Sequence, residues 1–336
     1  MTDLLASEAP PDLETRVPIA RRFGSLLRLA VAVLLCLTPL GAVLVLGWLM
    51  RMMARERAVV ARRLADTGTK WPRPSLPNWV VGTATQGQSR RHRWFGGMIE
   101  NIRLGLASLL TLALGTFPFS LLWLFSWWGG WENSFNKGYE QAWVGPALGL
   151  LGVGIALPLL TRLPMALAHQ AAEGRISAFF AFGHVRRLTR QVGWRYVFLC
   201  FLIVLSAFPL FAAKSAPVFV ENWSPGFLSR NAAEVEAFAS GYRLAATAYL
   251  LLVLVIWRRA AARLHARASH RLDGLGTTGA RASWLGTALR GLLLGAIWFV
   301  LVAQIYVGQF VNHQWLAWIN HPVLVLLWIP QPGSVL

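Results

Sequence analysis

Long apolar runs with almost no charge, separated by arginine-rich stretches, constrain this chain more than any other feature. Residues 104–128, 143–163, 196–213, 242–257 and 284–310 contain only three charged side chains, Arg162, Arg243 and Arg290, each near an end. A helix needs about 20 apolar residues to cross a hydrocarbon core of roughly 30 Å. A soluble domain cannot bury that many long stripes, and it carries about 25% charged residues to coat its surface. Here charged residues are 14% of the chain and hydrophobic ones 56%. Lipid is therefore the solvent for most of the molecule.

A sixth apolar run, 26–50, is interrupted by Thr38-Pro39. It admits two readings. It crosses once, or Thr38-Pro39 turns it back as a re-entrant hairpin whose freed backbone groups must be buried in protein. A single crossing is the preferred expectation. The fold class expected is then an all-α membrane protein, a bundle of about six transmembrane helices built from two or three related helix-loop-helix units. Residues 1–24 read as a mobile N-terminal tail without the apolar core of a signal peptide. Residues 25–310 read as the transmembrane domain and 311–336 as an apolar C-terminal tail, where 315–329 is too short to assign as a span.

The 32 Lys and Arg against 14 Asp and Glu give a net charge of +18. Nucleic acid is not the expected partner, because the basic residues lie between hydrophobic spans rather than on one soluble face. Eleven Lys or Arg fall in 51–103, six in 162–195 and seven in 258–290, whereas the intervening loops hold few. Lys/Arg bias sets topology in short loops. It predicts that basic loops 51–103, 164–195 and 258–283 share the cytoplasmic side of a bacterial inner membrane. Trp123, Trp127, Trp128, Trp131 and Trp143 cluster at one boundary, and Trp94, Trp194, Trp257 and Trp284 at the other. Interfacial Trp anchors of this kind favour the headgroup region.

Within the second basic stretch, FFAFGHVRRLTRQVGWR at 179–195 interleaves aromatics and arginines. It predicts an amphipathic helix in the interface plane, with Phe179, Phe182, Val185 and Thr189 along the apolar edge. Arg186, Arg187 and Arg190, together with Arg90, Arg91 and Arg93 upstream, are the candidate residues for anionic headgroups or an acidic partner.

LALGTFPF at 112–119 and IVLSAFPL at 203–210 lie in similar spans, each preceded by an aromatic-led polar segment. An internal repeat is the expected origin. Further motifs are LGWLMRMM at 46–53, closing a proline-containing helix, and SLPNW at 75–79, followed by an aromatic-led amphipathic helix. Over about 27–210 these features resemble an uncharacterised prokaryotic polytopic membrane family, the domain of unknown function numbered four thousand and thirteen. That family shows an L-G-Y-x-x-R helix end and an L-P-x-W linker. Trp48 stands where it more often has Tyr, and the acidic residues usual after L-P are replaced by Asn78-Trp79-Val80-Val81. The resemblance implies a fold and no chemistry.

Catalytic and cofactor readings find little in the sequence. No Asp or Glu lies near the middle of a span, where an ionisable group would mark coupled transport. His92, His169, His184, His265, His270, His313 and His321 fall at boundaries or in loops, and His265 and His270 lack the i,i+4 spacing of a helical metal pair. Cys36 and Cys200 have no CxxC or CxxH partner. No cofactor, metal or catalytic residue is expected. Gly145-x-x-x-Gly149 and Gly291-x-x-x-Gly295 predict close helix packing. Two functions stay open at this stage. One is a non-catalytic scaffold or accessory subunit that binds anionic lipid, or a protein partner in the membrane. The other is a permease or lipid-handling protein with a path between repeated units.

Overall fold

The computed structural model describes residues 19–66, 74–82, 90–131, 143–223, 231–275 and 284–311. Ten helices occur among them and no strand: α1 (Ile19–Leu35), α2 (Pro39–Ala65), α3 (Arg90–Trp131), α4 (Val144–Leu160), α5 (Leu163–Glu173), α6 (Ile176–Phe179), α7 (Phe182–Val192), α8 (Trp194–Trp223), α9 (Ala232–Leu275) and α10 (Trp284–Val311). The chain is an all-α, multi-pass membrane-type bundle. Helices α3, α9 and α10 are each long and apolar enough to cross a bilayer. The count rises to five if the bent pairs α4–α5 and α7–α8 are each taken as one span.

The sixth run does not cross as expected. Helix α1 ends at Leu35, and α2 opens at Pro39 with Thr38 as its N-cap, the Thr38 hydroxyl accepting from the Gly41 amide at 3.2 Å. Ten residues before Thr38, the Arg28 carbonyl accepts a hydrogen bond from Trp79 Nε1 at 3.3 Å, and the Arg28 guanidinium donates to Leu76 O. Ten residues after it, Trp48 stacks on that same Trp79 with ring centroids 4.9 Å apart. A straight helix would separate positions 28 and 48 by about 30 Å at 1.5 Å per residue. Their meeting on one tryptophan makes α1–α2 an antiparallel hairpin. Both of its ends lie on the basic side, and its flank packs on Leu250, Leu251, Leu254 and Val255 of α9. The N-terminal tail also ends earlier than residue 24, since α1 begins at Ile19.

The three basic stretches read as loops are largely helix. Residues 51–65 continue α2, 90–103 open α3, 258–275 continue α9, and the middle stretch forms α5, α6 and α7. Gly174 closes α5 with φ +67° and Gly193 closes α7 with φ +56°, so 163–192 is three short rods and not one surface helix. Helix α5 bends 46° from α4, and α7 turns 102° from α8. The main core runs from Leu112, Phe119 and Trp123 of α3, through Ala156 and Leu160 of α4, to Tyr196 and Cys200 of α8 and Trp298 of α10.

Small residues bring α3 and α4 together as expected. Gly145, Gly149 and Gly152 are buried on α4, Ser126 Oγ donates to Gly145 O, and Gly152 sits against the Trp123 ring. The second small-residue pair behaves differently: a Cβ built on Gly291 or Gly295 would meet nothing within 4 Å. Glycine spacing marks where a close approach is permitted, and α10 packs on its neighbours through Trp298 and Val302 instead.

Candidate functional site at the basic end

Two of the sequence motifs join in one device. Trp48 and Arg51 share a face of α2, being three residues apart. Trp48 Nε1 donates to Pro77 O at 2.9 Å while its ring stacks on Trp79. Arg51 donates to the carbonyls of Asn78 (3.1 Å), Gly97 (3.3 Å) and Val81 (2.8 Å), to Asn101 Oδ1 (3.1 Å), and pairs through Nε with Glu100 at 3.0 Å. The linker 74–82 has no ladder to satisfy its carbonyls, and a buried guanidinium with five donors does so instead. Gly47 permits this, because a Cβ there would collide with the Asn101 carbonyl. The helix end and the proline-containing linker are therefore two halves of one joint.

A second polar joint lies farther along α2, around a carboxylate that the sequence reading does not single out. Glu56, 2% exposed, pairs with Arg263 at 2.6 Å and with Arg259 at 3.3 Å on α9. Arg259 also donates to Pro74 O at 2.9 Å. A buried carboxylate persists only where it is paired. The signal was present in the sequence: Glu56 on an apolar, arginine-rich helix, with Arg259 and Arg263 at i,i+4 elsewhere.

Three of the seven histidines come together across helices. His169 Nδ1 lies 3.2 Å from His265 Nε2, and the His169 ring centroid is 4.6 Å from that of His184, tilted by 32°, and 5.4 Å from that of His265, at 25°. His265 is buried and its Nδ1 has no partner. The least costly tautomer puts the proton on His265 Nε2, donating to His169 and leaving a bare acceptor buried rather than an unmade donor. Imidazole lone pairs lie in the ring plane, so stacked rings do not converge on one ion. Among the described residues no group of three His, Cys, Asp or Glu has metal-binding geometry. Beside this stack, Gln170 Nε2 donates to Thr111 Oγ1 at 2.8 Å. Sequence spacing could not reveal the histidine stack, because its members sit on α5, α7 and α9.

The predicted basic edge of α7 is present, with a different apolar edge. Val185, Leu188 and Val192 are buried, an i, i+3, i+7 stripe against α5 and α9, while Arg186, Arg187 and Arg190 are exposed. Phe179, expected on the same edge, belongs to α6 and is buried in the main core. Thr189 turns back to bond Arg186 O at 2.9 Å. The helix is held from two sides: Arg271 Nη1 donates to Gln191 O at 2.7 Å, and the Arg162 guanidinium lies over the Phe182 ring at 5.8 Å. Its apolar edge is therefore spent on protein and not on acyl chains. Arg90, Arg91 and Arg93 occupy the first turn of α3, and their side chains lie outside the described residues. His313, His321 and the apolar piece 315–329 also lie outside them.

The basic end thus combines an exposed guanidinium row, two buried ion-pair joints and a histidine cluster. No family model, no curated protein and no solved structure matches this chain.

Proposed function

We propose that the chain is a non-catalytic integral membrane scaffold or accessory subunit whose basic end holds anionic lipid headgroups. One observation carries this reading: α7 leaves α8 at 102° and presents Arg186, Arg187 and Arg190 outward while protein covers its other edge. A helix perpendicular to a span lies along the interface, where headgroup phosphates are. Each arginine near an anionic surface contributes about 1 kcal/mol, screened by salt. Replacing Arg186, Arg187 and Arg190 together with Gln is expected to weaken retention of phosphatidylglycerol by about 2–3 kcal/mol. Flotation on phosphatidylglycerol-containing vesicles across a salt series measures it, and unchanged retention with intact folding refutes the reading.

The localisation proposed is a bacterial inner membrane with the basic end cytoplasmic, supported by the Lys/Arg distribution and by the meeting of all three basic stretches at one end. Reporter fusions at Gln86, His184 and Gly276 should register the cytoplasm, and fusions at Asn136 and Gly226 the outside. The α1–α2 hairpin adds that an N-terminal fusion registers the cytoplasm too. An external N-terminus would overturn the hairpin, and an external Gly276 the whole orientation. The family resemblance and the repeated Phe-Pro spans fit this reading without adding chemistry to it. A permease or lipid-handling role remains the second reading, and what favours it is the buried polar face of α9 at Arg258 and His265.

A further inference from the structure

Arg258 is handled unlike the other buried arginine. Its side chain is 0% exposed, and among the described residues Nε, Nη1 and Nη2 find no hydrogen-bond partner. Arg51, also buried, is held by carbonyls, an amide and a carboxylate. Glu56, the acid that faces this stretch of α9, is already taken by Arg259 and Arg263. Among the described residues, the contact that addresses the Arg258 charge is the face of Trp257, 5.6 Å away. The surrounding stripe of α9 is small: Ala261 and Ala262 follow at i+3 and i+4, buried in the main core. Helices α2, α5, α7 and α8 all pack on α9, so the group stands at a junction and not at a lipid-facing edge.

A desolvated guanidinium without a partner is among the costliest groups a fold can bury, and the buried charges of Arg51 and Glu56 are both paired. Its planar fork of five donors matches the oxygens of a phosphate in a bidentate way. With Arg259 and Arg263 set against Glu56 alone, the local balance is positive and calls for an anion. We propose that Arg258 is the recognition group of an internal phosphate site, filled by the phosphate of a lipid headgroup or by free phosphate. This rests on the reading of the basic end as the headgroup side and adds to the exposed row on α7 a buried point of specific recognition.

The full chain, delipidated in a phosphate-free maltoside detergent, is titrated in separate arms with phosphatidylglycerol, inorganic phosphate and monogalactosyldiacylglycerol, which carries no phosphate. Thermal unfolding is the readout. Ligand that binds only the folded state raises Tm, so the wild type should gain several degrees, saturably, with a phosphate-bearing probe and none with the galactolipid. A response to phosphatidylglycerol alone identifies the headgroup, and a response to inorganic phosphate the free ion. Arg258→Met should melt higher than wild type without ligand, because it removes an unpaired buried charge, and should show no shift on titration. Arg258→Lys keeps the charge, loses the fork, and should bind at least ~10-fold more weakly. An unresponsive wild type, or an Arg258→Met protein that responds like wild type, overturns the proposal. If Arg258→Met does not fold, the lysine variant decides alone, and an undiminished response there overturns it as well. The triple glutamine variant of α7 should keep the saturable shift while losing bulk vesicle retention. The reverse pattern, retention kept and shift absent in wild type, would sink this site and leave the surface reading standing.

Discussion

Replacing Arg51 with leucine is expected to cost about 3–5 kcal/mol of stability, the range seen when one member of a buried charged network is removed. The size follows from what is left behind. Carbonyls of Asn78, Val81 and Gly97, the Asn101 amide oxygen and the Glu100 carboxylate all lose a donor together. Unsatisfied buried polar groups cost far more than the net value of the bonds that once served them. The linker 74–82 should come loose from α2 and α3 as a unit, carrying Trp79 off the Trp48 ring. Thermal unfolding in mild detergent, read through tryptophan fluorescence, should fall by roughly 10 °C. Arg51→Lys should recover little, since one ammonium cannot span five acceptors laid out for a planar fork. Glu100→Gln should cost only about 1 kcal/mol, because Glu100 is 25% exposed and its pair is screened. If Glu100→Gln matched Arg51→Leu, the ion pair and not the carbonyl network would be holding the joint.

The lipid-facing parts of this molecule were legible because lipid imposes length. Helices α3, α4, α8, α9 and α10 are each built on an apolar run whose ends the sequence marks with Trp and Arg. The inward-facing parts were not legible to the same degree. The run 26–50 has the composition of a span, and its turn depends on contacts from Trp79 that lie 30 to 50 residues away in sequence. Composition reports the solvent of a segment and is silent about its direction. The basic stretches misled in a related way. Arginine between spans suggests solvated loop, yet Arg51, Glu56 and Arg258 are buried because neighbouring helices extend past the apolar core and pack on one another.

The candidate site divides along the same line. Arg186, Arg187 and Arg190 were found because a basic edge on an amphipathic helix is a local pattern, visible at i, i+1 and i+4. The Glu56–Arg263 pair joins residues 207 apart and the His169–His265 contact residues 96 apart, and beyond the i,i+4 spacing of Arg259 and Arg263 no local pattern announces either cluster. The motifs at 46–53 and 75–79 occupy a middle case. Their co-occurrence was visible, and the physical reason for it, a buried Arg51 satisfying the carbonyls of an irregular linker, needed the fold.

Gly47→Ala is the smallest change expected to have a large effect. The added methyl would collide with the Asn101 carbonyl, a backbone atom in the middle of α3 that has no rotamer to yield. Relief requires α2 and α3 to move apart along their packed length, which also draws Arg51 away from Gly97 and Asn101. Overpacking against rigid backbone costs about 1–3 kcal/mol, and here the upper end is expected. Gly105→Ala meets the Val43 carbonyl at the same interface and should behave alike. Gly291→Ala and Gly295→Ala are the matched controls, since open space lies where their methyl groups would go. In a helix interior they should be neutral or stabilising by up to about 1 kcal/mol through propensity alone. Melting the four single variants side by side separates the two pairs. Equal melting temperatures across all four would mean that α2 and α3 do not approach as closely as this packing requires, and the joint built on Arg51 would fall with them.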